Sequence, residues 1–385
     1  MNNREIMFFL HSLNGIGRKT VGNLIEYFGN MQAIYHAPEK ELKKILKPAQ
    51  CKVFLGGREK KDPKAQLCEF EKKGIHYYSI FDEGYPKRLL KTSDVPIGLF
   101  VKGNLPGEEE LTISVVGTRK HSYYGEKQTR DFCRMIAGLG IPIISGMARG
   151  IDGIAQKSAI ECGAATYAVL GCGVDICYPE EHFKLYEQIP QRGGIISEYF
   201  PGTQPAAGLF PLRNRIISAL GDILLVMEAR EKSGTLITVD MALEQGKEIW
   251  VLPGRVDDAL SVGCNRLIAQ GAYILPTVKE FREELMGLCE KYNRISIKQS
   301  EPENTMEQTD GICRTENLHM NKLSLLEKAV VAVLDYKPLS LTTIYENLDA
   351  ESRMRYPIAQ VSVALVGLCV KNLAKQAGAG YYIRS

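Results

Sequence analysis

The residues best suited to chemistry lie in one short stretch, residues 210–218, with the sequence FPLRNRIIS. Arg213 and Arg215 flank Asn214, and Phe210 lies just before them. Guanidinium groups form paired hydrogen bonds with phosphate, an amide can read a base edge or a sugar, and an aromatic ring offers a stacking surface. The stretch therefore predicts a phosphate site beside a stacking surface. A helix start with solvated arginines would show the same residues, so the neighbouring loops decide between the two.

Three other basic, glycine-containing segments follow apolar runs: residues 117–119 (GTR), 145–150 (SGMARG) and 232–235 (KSGT). In parallel α/β sheets, ligands bind beyond the carboxyl ends of the strands, which is where these segments lie if the apolar runs are strands. Seven cations are then expected to converge on one rim: Arg119, Arg149, Arg213, Arg215, Arg230, Lys232 and Arg255. So many cations at one edge predict an anionic ligand.

Seven short apolar runs recur between residues 112 and 275, and most are apolar on both faces. That pattern is typical of strands in a parallel sheet covered by helices on both sides. The predicted strands are 112–116, 141–144, 165–170, 195–197, 223–227, 248–252 and 272–275, and the predicted helices include 125–139, 153–162 and 238–245. The chain is therefore predicted as an α/β protein. Its central domain, residues 86–287, is expected to be an extended Rossmann-type fold with a mainly parallel sheet.

Residues 1–85 are predicted to form a helical N-terminal domain of the helix-hairpin-helix or SAM-like kind. Residues 13–24 (LNGIGRKTVGNL) resemble a helix-hairpin-helix, a module that contacts DNA backbones through a glycine turn and a helix start. An ordinary helix–helix turn would need the same glycines for geometry alone. Residues 86–107 look like a connection, in which residues 96–103 form a short edge strand at best.

Residues 288–322 are polar and lose periodicity, which predicts a flexible linker. Residues 323–385 are predicted as a winged-helix-like domain with helices at 325–334, 341–348 and 358–373 and a terminal hairpin. The third helix has no basic residue before Lys371, which argues against an ordinary recognition helix in the major groove. Whether this domain binds DNA or protein stays open.

The length of 385 residues predicts two or three domains, and the net charge of +3 requires any nucleic-acid site to be a local cluster. No apolar run approaches the length of a membrane span and the first residues lack the layout of a signal peptide, so we expect a cytoplasmic protein without a membrane partner. Ten scattered cysteines without a Cys-x-x-Cys pair predict core residues in a reducing compartment. No metal and no cofactor are predicted.

The motifs of the common Rossmann-type enzymes are missing, because the sequence contains no dinucleotide-binding, Walker A or nucleophile-elbow pattern. Asp152 is expected to cap the helix that follows it. Glu228 ends a predicted strand and could orient an arginine or act as a base. With no histidine or cysteine in a partnering loop, the sequence predicts no catalytic residues and no enzyme.

Together these segments resemble the DprA/Smf family of DNA-processing proteins. The motifs that carry the resemblance occur in order between about residues 80 and 285: VGTR (116–119), SGMARGID (145–152), VLGCGVDICYP (169–179), ISE (196–198), FPLRNRIIS (210–218), EAREKSGT (228–235), VLPG (251–254) and GCNRLIAQGA (263–272). The flanking helical and winged-helix-like domains also fit the usual layout of the family. One departure is the stretch 205–209 (PAAGL), which lacks the lysine that some members place there.

The resemblance implies a non-enzymatic protein that binds single-stranded DNA in natural transformation, protects incoming strands and loads the RecA recombinase onto them. It also implies a homodimer formed through the Rossmann-type domain. Arg119, Arg149, Arg213 and Arg215 would bind successive phosphates, and Phe210 would pack against a base or sugar. Close backbone or hydroxyl contacts would come from Gly117, Ser145, Ser233, Gly234 and Thr235. Asn214 and Lys232 complete the predicted DNA-binding set.

Two other hypotheses remain open at this point. The first is a nucleoside-monophosphate-processing enzyme of the Rossmann phosphoribohydrolase type, with Glu228 as acid or base and residues 232–235 as a phosphate loop, although the Pro-Gly-Gly-x-Gly-Thr pattern of those enzymes is incomplete here. The second makes the winged-helix-like domain the principal DNA binder and the central domain a scaffold.

Overall fold

The computed structural model describes residues 1–291, 323–335, 338–371, 373–378 and 380–384. Most of the predicted linker, residues 288–322, lies outside these residues. The chain divides into two units, Met1–Lys298 and Gln299–Ser385. The finer domain limits at residues 85, 287 and 322 stay predictions.

Nine strands of the first unit form a single sheet. They are β1 (Ile75–Ser79), β2 (Gly98–Gly103), β3 (Ile113–Val116), β4 (Ile143–Ser145), β5 (Thr166–Val169), β6 (Gly194–Ser197), β7 (Ile223–Val226), β8 (Glu248–Val251) and β9 (Tyr273–Ile274). Their order across the sheet is β1-β2-β6-β5-β4-β3-β7-β8-β9. β1 and β2 are antiparallel to their neighbours, and all pairs from β6 to β9 are parallel. The predicted Rossmann-type, mainly parallel sheet is confirmed.

The helices of the first unit precede the sheet, connect its strands or follow its last strand. They are α1 (Asn3–His11), α2 (Arg18–Phe28), α3 (Met31–His36), α4 (Glu39–Ile45), α5 (Pro48–Lys60), α6 (Pro63–Lys72), α7 (Tyr123–Gly138), α8 (Ile151–Glu161), α9 (Phe183–Gln188), α10 (Leu209–Leu220), α11 (Gly234–Glu244), α12 (Val262–Ala269) and α13 (Val278–Lys291). Short 3₁₀ helices occur at Lys87–Lys91, Glu180–His182 and Ile189–Gln191. None of the helices within the described ranges is long and apolar enough to cross a membrane.

The central strands are buried on both faces, which explains their continuous apolar runs. Ile113 and Val115 of β3 lie in an apolar cluster with side chains of α7, α8 and α13. Val116 lies in a second cluster, on the opposite face, with side chains of α10 and α11. Alternate residues of a strand point to opposite faces, so a helix layer on each side favours apolar residues at most positions, and the buried Ser114 of β3 instead donates to the Ile217 carbonyl oxygen.

The prediction was wrong over the two strands at the β1 edge. Residues 75–79 were expected to be helical, but they form β1, in which Ile75 and Tyr77 are buried and His76 is exposed. Residues 96–103 were expected to form an edge strand at best. β2 instead lies between β1 and β6, with Leu99 and Val101 fully buried. This antiparallel pair extends the sheet towards the N-terminal helices.

An aromatic cluster joins α1 to this edge of the sheet. The ring of Phe8 lies 5.1 Å from that of Tyr77, and the ring of Phe100 lies 4.6 Å from that of Phe200. His11 packs against the same rings, 5.3 Å from Phe200, and its Nδ1 lies 3.3 Å from the Tyr77 hydroxyl. Burial lowers the pKa of His11 from 6.5 to about 4, although a hydrogen bond with the Glu198 backbone acts in the opposite direction.

This histidine predicts acid sensitivity of the fold. Because its pKa is lower in the folded than in the unfolded chain, the unfolded chain binds the extra proton between pH 6.5 and about 4. His11 should therefore remove up to about 3 kcal/mol of unfolding free energy as the pH falls through that interval. Urea unfolding at several pH values should show a smaller acid loss for His11→Phe than for the unchanged protein. Identical pH profiles would contradict the assignment.

The described residues of the second unit form four helices and three strands. They are β10 (Leu339–Ser340), β11 (Ala374–Gly378), β12 (Tyr381–Arg384) and the helices α14 (Leu325–Val333), α15 (Leu341–Asn347), α16 (Ala350–Arg355) and α17 (Ile358–Val370). β12 lies between β10 and β11 and is antiparallel to both. The predicted helices and the terminal hairpin are present, with α16 and β10 in addition. α17 exposes Val363 and Val370, so the face that a basic recognition helix would present is apolar. The winged-helix assignment stays a prediction.

Candidate nucleic-acid interface

The strand order reverses beside β3, and that position defines the candidate site. From β3 the chain moves to β4, β5 and β6 on one side, and it returns to β7 on the other side of β3. Ligands of doubly wound sheets bind at such a switch point. A cleft of about 610 Å³ opens there, lined by Val116, Gly117, Thr118, Arg119, Ala148, Asp152, Tyr178, Pro205, Ala207, Phe210, Pro211, Arg213, Asn214, Ile217, Ser233, Gly234, Thr235, Ile237 and Thr238.

A smaller side pocket shares five residues with the cleft: Arg119, Ala148, Tyr178, Phe210 and Arg213. Arg149 also lines this pocket. The structure therefore brings together Arg119, Arg149 and Arg213 from three different elements, a loop after β3, a loop after β4 and α10. Residues 205–209 add no cation to the cleft, because the residues of this stretch that line it are Pro205 and Ala207.

A guanidinium and two aromatic rings form a stack in the cleft. The guanidinium carbon of Arg119 lies 5.5 Å from the centre of the Phe210 ring. The Phe210 ring lies 5.4 Å from that of Tyr178, and the two planes differ by 28°. A Cβ at Gly171 would lie 2.8 Å from the Phe210 ring, so only glycine lets the ring approach this loop. Tyr178, which is 39% exposed, was not among the predicted contacts.

Arg213 forms the buried cationic floor of the cleft and is only 4% exposed. Its Nη1 donates to the carbonyl oxygens of Gly146, at 2.9 Å, and Val169, and its Nε donates to the Asn214 Oδ1 at 3.2 Å. Burial lowers the pKa of Arg213 to about 10, and Asp152 partly offsets that effect. The guanidinium is thus positively charged at neutral pH and held in one orientation. Asn214 helps to orient it.

Asp152 fastens the loop of residues 145–150 instead of capping the helix that follows. α8 begins at Ile151, so Asp152 is its second residue, and no side chain caps the helix. The Asp152 Oδ2 accepts a hydrogen bond from the Gly146 N–H at 3.1 Å. Burial raises the pKa of this carboxyl, whereas the nearby Arg213 lowers it. The predicted cap is therefore wrong, and the carboxylate instead stabilises the loop of residues 145–150 beside the cleft.

The same loop directs Arg149 outwards. Gly150 has a φ of 75°, and a Cβ there would lie 2.4 Å from the Thr118 carbonyl oxygen, so this position requires glycine. The Arg149 side chain is 60% exposed, and its Nε donates to the Glu181 Oε1 at 2.9 Å. An exposed ion pair of this kind is weak and can exchange its carboxylate for a phosphate.

The start of α11 faces the cleft with unused donors. Ser233 occupies the position before the first helical residue, but its side chain makes no capping hydrogen bond. Within the part of the chain that the structure describes, the buried Ser233 Oγ has no hydrogen-bond partner. Gly234 and Thr235 line the cleft beside it. A helix start with a free hydroxyl and free N–H groups is suited to binding an anion.

The structure places Arg215 away from the cleft, contrary to the prediction. Its Nη1 and Nη2 donate to the two carboxylate oxygens of Glu198 at 2.8 and 2.6 Å, and its Nε donates to the Asp94 carbonyl oxygen at 2.7 Å. Residues two apart in a helix point about 200° apart, so Arg213 and Arg215 of α10 cannot face the same cleft. Arg215 is a structural residue.

Other predicted contacts also lie elsewhere. Ser145 is the last residue of β4, fully buried, and its Oγ donates to the Val115 carbonyl oxygen at 2.7 Å. Lys232 and Arg230 are exposed but do not line the cleft, and Arg255 pairs with Asp257. The predicted convergence of seven cations is therefore reduced to Arg119, Arg149 and Arg213.

Glu228, the proposed acid or base of a hydrolase, is already engaged. Its Oε2 accepts a hydrogen bond from the Ser122 N–H at 3.0 Å, and its Oε1 accepts one from the Ser122 hydroxyl. Burial raises the pKa of Glu228, and the hydrogen bonds from Ser122 lower it. The carboxylate thus stabilises the start of α7. In the described ranges, no group of three or more His, Cys, Asp and Glu side chains could hold a metal ion.

Cations, stacked rings and a free helix start lie together at the switch point of this Rossmann-type sheet, and such groups are suited to binding phosphates and planar rings. The sequence model of the family described as DNA recombination-mediator protein A matches residues 76–286, more than half of the chain. The chain belongs to this family. The resemblance to DprA/Smf proteins is thereby confirmed.

Three relatives illustrate the match. Protein Smf of Escherichia coli is 41% identical over 227 residues, which cover 59% of this chain and 61% of that protein, so the chain spans about three fifths of that relative's length. The X-ray structure of DNA processing protein A from Streptococcus pneumoniae is 33% identical, with a TM-score of 0.64 over 74% of this chain and 98% of that one. DNA processing protein A from Helicobacter pylori, solved for its single-stranded DNA binding mode, is 30% identical, with a TM-score of 0.50 over 55% and 96%.

Proposed function

We propose that this protein binds single-stranded DNA in the cleft. The observation that carries the proposal is the stack of Arg119, Phe210 and Tyr178, in which a guanidinium covers a ring that lies on a second ring. A nucleotide offers a phosphate and a flat base, and this stack provides a partner for each. The single-stranded DNA binding mode of the related Helicobacter pylori protein supports the proposal.

Phosphates bind at three cations and one helix start in this proposal. Arg119 and Arg213 face the cleft, and Arg149 lies at the side pocket. The Ser233 hydroxyl and the free N–H groups of the first turn of α11 hold a further phosphate. Gly117 lines the cleft, and its position has no room for a Cβ, which would lie 2.6 Å from the Ile151 side chain.

The same arrangement favours single strands over duplexes. A base in a duplex is stacked on both faces, so it cannot lie against an aromatic ring of the cleft without being pulled out of the helix. Every unpaired base has a π face, so the stack discriminates little between sequences. The protein should therefore bind single strands of different sequence with similar affinity.

Fluorescence anisotropy with single- and double-stranded oligonucleotides at two salt concentrations tests the proposal. Three neutralised phosphates give a salt slope of about −2, so affinity should fall roughly 20-fold between about 50 and 200 mM salt. Single strands should bind more tightly than duplexes of the same sequence. Equal affinity for both, or affinity independent of salt, would reject the proposal.

We further infer that the protein acts in DNA recombination and transformation, as a non-enzymatic homodimer that protects incoming strands and loads RecA onto them. Membership of the recombination-mediator family supports this role. Nuclease digestion of bound oligonucleotides measures protection, and RecA filament formation on the same DNA measures loading. A protein that leaves both rates unchanged does not have this role. Sedimentation of the full chain measures the oligomeric state.

A further inference from the structure

A second groove adjoins the loop of residues 145–150. It encloses about 590 Å³ between the start of α7, α8 and the Glu180–His182 turn with α9. Five basic side chains line it: His121, Arg130, Lys157, His182 and Lys184. We call it the basic groove. None of these residues lines the cleft or the side pocket.

The positive charge of the basic groove is only partly neutralised. Its two carboxylates are engaged, since Glu126 pairs with Arg130 at 3.0 Å and Glu181 pairs with Arg149 at 2.9 Å. Lys157 and Lys184 are exposed, and neither has an ion-pair partner among the residues that the structure describes. Two unopposed ammonium groups facing one groove attract an anion with more than one charge.

The basic groove begins where the side pocket ends. Arg149 lines the side pocket, and its partner Glu181 lines the basic groove, so their ion pair lies on the boundary. Gly150 and Gly153 line the groove next to this pair, and each is packed closely against the protein, because a Cβ would lie 2.4 Å from the Thr118 carbonyl oxygen at Gly150 and 2.5 Å from the His182 ring at Gly153. His182 is fixed there by contact between its Nδ1 and the Met147 carbonyl oxygen at 3.1 Å.

We propose that the basic groove continues the path of single-stranded DNA beyond the cleft. A strand leaving the cleft passes Arg149, whose guanidinium exchanges Glu181 for a phosphate. The strand then crosses Gly150, and Lys157 and Lys184 bind the phosphates that follow. Ile154 and Leu185 lie in the same groove and provide apolar surface for the sugars. This inference rests on the proposed function, because it extends the strand that the cleft holds.

The dependence of affinity on oligonucleotide length tests the inference. The variant carries Lys157→Ala and Lys184→Ala together. Oligothymidylates of about 6 and about 20 nucleotides distinguish a strand that fills the cleft from one that also reaches the groove. The double variant should bind the short strand like the unchanged protein. It should bind the long strand about 10-fold more weakly, with a salt slope flatter by about 1.4, because two phosphate contacts are lost.

A matched control removes the same charge elsewhere. Lys52 and Lys64 are exposed and line neither the cleft nor the basic groove, so Lys52→Ala with Lys64→Ala should leave both affinities unchanged. Unchanged long-strand binding by the Lys157 and Lys184 variant would overturn the inference and leave the cleft intact. Equal loss for short and long strands would also overturn it, because the lysines would then act at the cleft through the general field. Failure of the unchanged protein to bind either strand would reject the proposed function itself.

Discussion

Arg119→Ala and Phe210→Ala should each weaken binding to single-stranded DNA about 5- to 150-fold, because each removes one member of the stack on which a base and a phosphate bind. Loss of one base–aromatic contact costs about 1–3 kcal/mol, which corresponds to that range. Arg119→Ala should also flatten the salt slope by about 0.7 to 1, since one phosphate loses its cation. Phe210→Ala should leave the slope unchanged. The loss should be similar for all sequences.

The two substitutions are expected to be non-additive. The Arg119 guanidinium lies 5.5 Å from the centre of the Phe210 ring, so removal of the ring also releases the arginine. The double variant should therefore lose less affinity than the product of the two single losses. Anisotropy titrations of the unchanged protein, both single variants and the double variant complete the cycle.

Matched controls separate the cleft from the general charge of the surface. Arg255 is 60% exposed and pairs with Asp257, and Phe81 is 47% exposed, and neither lines the cleft. Arg255→Ala and Phe81→Ala should bind DNA like the unchanged protein. Wild-type affinity of Arg119→Ala would show that the cleft is not the DNA site.

Much of the sheet can be predicted from the sequence, because each central strand is covered on both faces. The predicted strand at residues 223–227 corresponds to β7 at Ile223–Val226, and the one at 248–252 to β8 at Glu248–Val251. Apart from Glu248, the residues of these two runs are apolar, and a glycine lies shortly before each run. β1 was not predicted because its buried and exposed residues alternate over only five positions. This short strand closely follows a helix, so its pattern was taken as part of the helical region.

Of the candidate site, only the residues in the loops after the strands could be predicted from the sequence. Arg119 and Arg149 follow strands, and the carboxyl ends of parallel strands meet at one edge whatever the details of packing. The roles of Arg213 and Arg215 could not be distinguished without the register of α10, because two basic positions separated by one residue look equivalent in a stretch of unassigned structure. Tyr178 gave no signal of its own, since its role depends on a ring contributed by a distant helix.

The position of Arg215 leads to the prediction with the largest effect on stability. Its side chain is 10% exposed and that of Glu198 is 16% exposed, so the pair lies largely out of water. Arg215→Ala would leave the Glu198 carboxylate with no cation, and breaking a buried pair by removing one partner costs about 3–5 kcal/mol. The exposed pair of Arg255 and Asp257 is the matched control, and Arg255→Ala should cost at most about 1 kcal/mol.

Urea unfolding followed by tryptophan fluorescence measures the loss of unfolding free energy in the first unit, which contains Arg215. Trp250 is the single tryptophan of the chain and lies in β8, so its signal reports on the first unit alone. The folded Arg215→Ala protein, studied at low temperature, should bind single-stranded DNA with an unchanged salt slope, because Arg215 does not line the cleft. An Arg215→Ala protein as stable as wild type, with the flattened slope expected for Arg119→Ala, would instead make Arg215 a phosphate ligand. The two readouts therefore decide whether α10 contributes one cation to the cleft or two.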